Sequence, residues 1–254
     1  MLMSTMRRGA VLVVALSVSG LSLSQAGTFV DHPAGPQSLP QLMLWAWERP
    51  TDLGSLDTGI GVAFLSQTLV ARNGALLREP RRNPLRVAPH TPLVAVTRIE
   101  TGDGAPPETL VTSMAEAIAG TASLPGVRGV QIDFDAAESE RAFYRSLVRA
   151  VRSTLGADVP LSITALASWC AQDRWMNGLP VDEAVPMLFR LGPINAPYAG
   201  LARSPAAAAA ECRGALGTSL DEPLHVRAAG RRVYVFNASA WTSASVTRAR
   251  EVLE

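Results

Sequence analysis

The stretch GVQIDFDAAESE, Gly129 to Glu140, decides the reading of the fold. Alternate residues of a strand share a face. Val130, Ile132 and Phe134 therefore line one face, and Gln131, Asp133 and Asp135 line the other. Neither face reads as a solvated edge. The pattern fits a strand that packs helices on its apolar side and presents acid on the opposite side.

Working outward, strand-like apolar runs recur along the chain. They are Gln41–Glu48 (QLMLWAWE), Gly61–Leu69 (GVAFLSQTL), Leu93–Glu100 (LVAVTRIE), Gly129–Asp135, Leu161–Trp169 (LSITALASW), Glu183–Arg190 (EAVPMLFR), a weak run at Gly214–Leu220, and Arg232–Ala238 (RVYVFNA). Helical spacing lies between some of them. Leu110, Met114, Ala117 and Ile118 predict a helix over Pro107–Ala119, and Phe143, Leu147, Val148 and Val151 predict one over Ser139–Leu155. Ser204-Pro205 opens a third over Ser204–Leu216, with the alanine run Ala206–Ala210 as good helix former. Ser245–Leu253 closes the chain as a fourth. Arg72–Arg86 reads as a hairpin or loop.

Strands alternating with helices indicate a parallel sheet, and eight of them indicate closure into a barrel. The expected fold is α/β, a compact and irregular (β/α)8 TIM-type barrel with some helices missing or short. An open doubly wound sheet is the alternative, but no Gly-rich phosphate loop is present.

The chain has 254 residues, is 48% hydrophobic and carries a formal net charge of +1. That charge gives no bulk pull toward nucleic acid. All 23 basic side chains are arginine. Residues 1–26 read as a secretory signal: Arg7 and Arg8 lead an apolar core, and Ser24-Gln25-Ala26 supplies a small-x-small cleavage site. An uncleaved anchor is the alternative. Thr28 to Pro40 is Pro/Gly-rich, so residues 27–40 form a leader arm and 41–254 a single barrel domain, periplasmic or secreted. No second apolar span follows. In an oxidising compartment Cys170 and Cys212 favour a disulfide, with two separate buried thiols as the alternative. Their spacing matches no zinc pattern, and His32, His90 and His225 are scattered, so neither metal nor cofactor is expected.

In such a barrel chemistry sits at the C-terminal ends of the strands. Those ends carry Trp45, Trp47 and Glu48, then Gln67, then Arg98 and Glu100, then Asp133 and Asp135, then Trp169, Arg190 and Trp241. Paired carboxylates beside aromatic rings are what glycoside hydrolysis requires. One acid protonates the leaving oxygen, another carboxylate stabilises or attacks, and ring faces pack on the sugar. The alternatives are structural: Arg98 neutralising Glu100, Asp133 or Asp135, tryptophans in the core, Glu48 paired with Arg49, and Arg78–Arg86 (REPRRNPLR) as a solvated loop or a contact for an anionic partner. No Gly-x-Ser-x-Gly elbow is present, which disfavours serine hydrolase chemistry.

The strings LPQLMLWAWERP, GVAFLSQTL, PLVAVTRIET, GVRGVQIDFDA, PLSITALASWC and LPVDEAVPMLFR together resemble an uncharacterised bacterial family, domain of unknown function 3142. That resemblance implies a glycosidase-like barrel over about residues 39–241. A more distant resemblance is to the chitinase-like (family 18) glycoside hydrolases, whose fourth strand reads Asp-Gly-x-Asp-x-Asp-x-Glu. Arg128 and Gln131 stand where that motif has its first two aspartates. Asp133 matches the third, which assists the substrate acetamido group, and Asp135 replaces the glutamate acid.

The expectation is thus an exported barrel acting on a glycan ligand, with Asp135, Asp133 and Glu100 as catalytic carboxylates. Trp45, Trp47, Glu48, Gln67, Arg98, Gln131, Trp169, Arg190 and Trp241 are the expected substrate contacts. A catalytically silent barrel binding a saccharide or an envelope partner is the rival reading.

Overall fold

The computed structural model describes residues 39–102, 104–173, 175–191, 198–222 and 230–253. The expected signal segment, most of the expected leader arm, His32 and His225 lie outside the described residues.

Eight parallel strands close on themselves. They are β1 (Leu42–Ala46), β3 (Ile60–Arg72), β6 (Leu93–Thr101), β7 (Val127–Asp133), β8 (Leu161–Leu166), β9 (Glu183–Met187), β10 (Ala215–Ser219) and β11 (Arg232–Phe236). Closure is made by β1, which pairs with β11 on one side and β3 on the other. The remaining strands are accessory. β4 (Ala75–Pro80) folds back antiparallel on β3, and β2 (Thr51–Leu53) pairs with β5 (Leu85–Val87). Asn73 and Gly74, both at positive φ, make the two-residue turn that such hairpins need.

Helices α1 (Val111–Ala119), α2 (Arg141–Leu155), α3 (Ala167–Ala171), α4 (Ala199–Arg203) and α5 (Ser243–Glu251) cover the barrel unevenly. Among the described residues none stands between β1 and β6. α2 shows why the outer layer forms. Phe143, Tyr144, Leu147, Val148 and Val151 recur at helical spacing and are all buried, while Arg145, Arg149 and Arg152 share its outer side. Burying each such apolar chain contributes about 1.5–3 kcal/mol. The helix stops at Gly156, whose φ of 75° suits a residue without Cβ. Leu147→Ala would open a cavity costing about 2–5 kcal/mol.

Two apolar layers follow the alternation read in β7. Val130, Ile132 and Phe134 belong to the outer core with Phe143, Tyr144 and Leu147. The inner core includes Met43, Trp45, Val94, Val96, Val185 and Tyr234. Within it runs a buried polar chain. Trp45 Nε1 donates to Gln131 Oε1 at 2.9 Å, and Gln131 Nε2 donates to Ser162 Oγ at 3.0 Å. Tyr234 donates its hydroxyl to Glu183 at 2.6 Å, and Arg232 pairs with the same carboxylate. Arg232 also donates to the carbonyls of Pro40 and Leu39, closing the N-terminal end of the barrel.

One predicted helix is absent. Ser204–Leu216 instead forms 3-10 turns at Pro205–Ala207 and Ala210–Cys212, then enters β10. Ala208 and Ala209 are extended, and Ala209 N donates to Cys170 O at 2.9 Å. Cys212 is disulfide-bonded to Cys170, with Cα atoms 5.9 Å apart. Tethering to α3 overrides the alanine run's helical propensity, which is worth only tenths of a kcal/mol per residue.

Candidate functional site

At the C-terminal mouth the barrel opens into a cavity of about 470 Å³. Its walls come from the ends of β1, β6, β7, β8, β9 and β11. Two carboxylates reach it, Asp133 from the end of β7 and Asp135 from two residues beyond it, and two guanidiniums, Arg98 and Arg190, reach it from β6 and from just after β9.

Asp133 is held from both neighbouring strands. Thr164 Oγ1 on β8 donates to its Oδ1 at 2.8 Å, and Arg98 Nη1 on β6 donates to its Oδ2 at 3.0 Å. Burial raises the Asp133 pKa above the usual aspartate range and Asp135 adds to the rise, against the opposing pull of Thr164 and Arg98. Arg98 also donates Nε to Glu100 at 3.2 Å. Burial works against its charge, but Asp133, Glu100 and Asp135 outweigh it and raise the Arg98 pKa. Asp135 is exposed at the rim, two residues beyond the end of the strand at Asp133. Glu140, five residues further on, serves the local chain: it accepts from Ala137 N at 2.7 Å and caps the turn that leads into α2.

Aromatic rings build the rest of the wall. Trp45 stacks on Tyr234 at 5.3 Å and meets the Phe189 edge at 6.3 Å. Phe189 lies parallel to Phe236 at 5.5 Å, and Phe236 meets Trp47 edge to face at 6.4 Å. Arg98 lies over Trp47 at 5.9 Å and Arg190 over Phe236 at 5.4 Å, so both cations sit on the Phe236 and Trp47 end of the row.

The loop carrying Trp47 is fixed by Arg81, from the arginine-rich stretch. Its guanidinium donates to Trp47 O at 2.7 Å and Arg49 O at 2.6 Å, and more weakly to Ala46 O and Leu65 O at 3.3 Å.

Of the residues expected at the mouth, Trp45, Trp47, Arg98, Asp133, Asp135 and Arg190 line this cavity. Glu100 instead backs Arg98 as its second carboxylate. Gln131 lies fully buried beneath, holding Trp45. Gln67 is turned outward, where it donates to Thr97 Oγ1 and to Ala117 O of α1. The register shift between Leu65 and Gln67 inverts its phase. Trp169 belongs to α3 rather than to a strand end, and packs against Trp175 and Tyr144 under the helices. Trp241 is buried, its Nε1 donating to Trp45 O at 2.8 Å. Glu48 is exposed and accepts from Asn83 and from Arg82 N. Desolvation works to raise its pKa, but those hydrogen bonds outweigh it and lower the pKa.

Sequence reasoning missed Thr164, Phe189, Tyr198 and Phe236, which also line the cavity. Thr164 shares a strand face with Ser162, the same i, i+2 polar signal that β7 gave. Phe236 shares its face with Tyr234. Among the described residues no group of His, Cys, Asp and Glu could hold a metal ion, and no helix is long and apolar enough to cross a membrane.

Fold and cavity together define an α/β-barrel protein with a carboxylate-bearing, aromatic-walled pocket at the C-terminal ends of its strands. The chain belongs to the family described as Domain of unknown function (DUF3142), whose model matches residues 90–236. No curated protein matches it.

Proposed function

We propose that this is an exported barrel of the (β/α)8 TIM type that binds a glycan at its C-terminal mouth and hydrolyses it. The observation that supports this best is the pair Asp133 and Asp135, two carboxylates in contrasting environments within one aromatic cavity. Contrasting environments divide labour between acids. Asp133 is buried and engaged at both oxygens, which suits a positioned partner that stabilises positive charge or holds a substrate group. Asp135 faces the cavity with no hydrogen bond among the described residues, so its carboxyl is open to a leaving oxygen, the position a proton donor needs. Trp47 and Phe189 supply apolar surface for sugar rings. The Cys170–Cys212 disulfide supports export, because such bonds persist in oxidising compartments.

A second reading, saccharide binding without turnover, draws on Arg98. By pairing with Asp133 and Glu100 together it ties up two of the three carboxylates as a structural network. The experiment is a glycan panel scored separately for retention and for new reducing ends. Hydrolysis lost in Asp135→Asn with retention kept supports the enzyme. Retention with no hydrolysis by the unaltered protein supports the binder.

A further inference from the structure

We propose that the saccharide taken at the mouth is anionic and that Arg190 reads its carboxylate or sulfate group; this rests on the saccharide reading of the same cavity. Of the two guanidiniums there, Arg98 is already spent on Asp133 and Glu100. Arg190 makes no salt bridge among the described residues, and its side chain instead lies over the Phe236 ring. Among the described residues its guanidinium N–H groups make no hydrogen bond, and they form a planar fork matched to a two-oxygen anion.

The backbone is arranged to place it. Arg190 sits at a φ of 57°, a left-handed conformation unfavourable for a residue with a long side chain. Its N–H donates to Glu222 Oε2 at 2.7 Å, which fixes the main chain at this position. A strained residue at a cavity rim persists where surrounding contacts fix it, and here they aim a cation into the pocket.

Charge also sets the orientation of the ligand. Asp135 stands on the β7 side and repels an anion, whereas Arg190 stands after β9 and attracts one. The acidic substituent therefore lies on the β9 and β11 side, against Phe236, and leaves the β7 side to the bond facing Asp135. A neutral sugar could answer the Arg190 fork only with uncharged hydroxyl acceptors, which make the weaker hydrogen bonds.

The test is a glycan array of matched pairs: uronate oligosaccharides beside carboxyl-reduced forms, sulfated beside desulfated, sialylated beside asialo, with neutral glycans included. The expected result is retention of charged members over their neutral partners by roughly ten- to a hundredfold, the worth of one or two charge-assisted hydrogen bonds. Which pairs respond separates carboxylate from sulfate. The preference should vanish in Arg190→Gln, persist in part in Arg190→Lys, and leave the melting temperature of both variants unchanged. Equal retention of neutral partners overturns the anionic reading, and a preference surviving Arg190→Gln overturns the assignment to Arg190; both leave the saccharide reading intact. Retention of no glycan at all overturns both.

Discussion

Thr164 Oγ1 donates to Asp133 Oδ1 at 2.8 Å across the β7–β8 pairing, so the most buried acid of the mouth is gripped by a neutral hydroxyl as well as by Arg98. Thr164→Val keeps the shape and removes that donor. A hydrogen bond to a charged group is worth about 1.5–3 kcal/mol, and the variant should lose stability of that order in urea unfolding at neutral pH.

Asp133 also sets a pH dependence whose sign differs from that of ordinary acid unfolding. Its pKa is raised above the usual 3.8, chiefly by burial. Between those values the folded chain holds a proton that the unfolded chain has released. The stability Asp133 contributes is therefore complete below the unfolded pKa and is lost as pH climbs through the folded one. Comparing the protein with Asp133→Asn isolates this from other carboxylates. From about pH 3 to pH 7 the difference in unfolding free energy should move in favour of the variant; a difference flat or moving the other way contradicts the assignment.

Asp135 is exposed and unbonded among the described residues, so Asp135→Asn should change stability by no more than about 0.5 kcal/mol. If it is the proton donor, the same substitution should lower the hydrolytic rate by about 10²–10⁴-fold. An unfolded variant would mark the carboxylate as structural.

Gly217 is required by a ring. A Cβ there would stand 2.9 Å from Trp45 Cη2 and 3.2 Å from Cζ3. Trp45 cannot retreat, being stacked on Tyr234 and bonded to Gln131. Gly217→Ala should cost about 1–3 kcal/mol through overpacking and shift the tryptophan emission. Gly61→Ala is crowded too, because its added methyl would meet the fully buried end of Met43 and stand 3.1 Å from the backbone Pro92 O.

The Cys170–Cys212 bridge closes a separation of 42 residues and joins α3 to the turn before β10, past β9. Chain entropy sets its contribution at about 4 kcal/mol, with measured bridges commonly at about 2–4. Cys170→Ser with Cys212→Ser should lower the unfolding midpoint accordingly and release the extended Ala208–Ala209 segment to faster proteolysis.

The proposed export gives the last check. Mature protein recovered outside the cytoplasm should begin at Gly27 by N-terminal sequencing, and protein that begins at Met1 there would contradict cleavage after Ala26.

The barrel strands were legible because two-residue alternation survives tertiary packing. Every apolar run contains a strand of the closed sheet, and the phase of Gln131, Asp133 and Asp135 follows directly. What failed depended on non-local geometry. Gln67 reads as inward-facing until the bulge beside it reverses the phase. Trp169 continues the run LSITALASW on paper, yet the chain turns helical at Ala167 and carries the ring away from the mouth. The alanines before Cys212 have helical propensity, but a covalent tie to a residue 42 positions back along the chain decides their path. Local pattern marks out the sheet, whereas the split between cavity wall and support is set by contacts between distant strands.

Arg81 has a consequence for how such a mouth diversifies. Because its guanidinium gathers the carbonyls of Ala46, Trp47, Arg49 and Leu65, the path of the first rim loop depends on main-chain oxygens, which every residue type possesses. The identity of residue 47 is thereby uncoupled from the course of the loop. Trp47 can be exchanged for a smaller or polar side chain with the rim retained, so the cavity wall can change one position at a time without refolding the barrel beneath it.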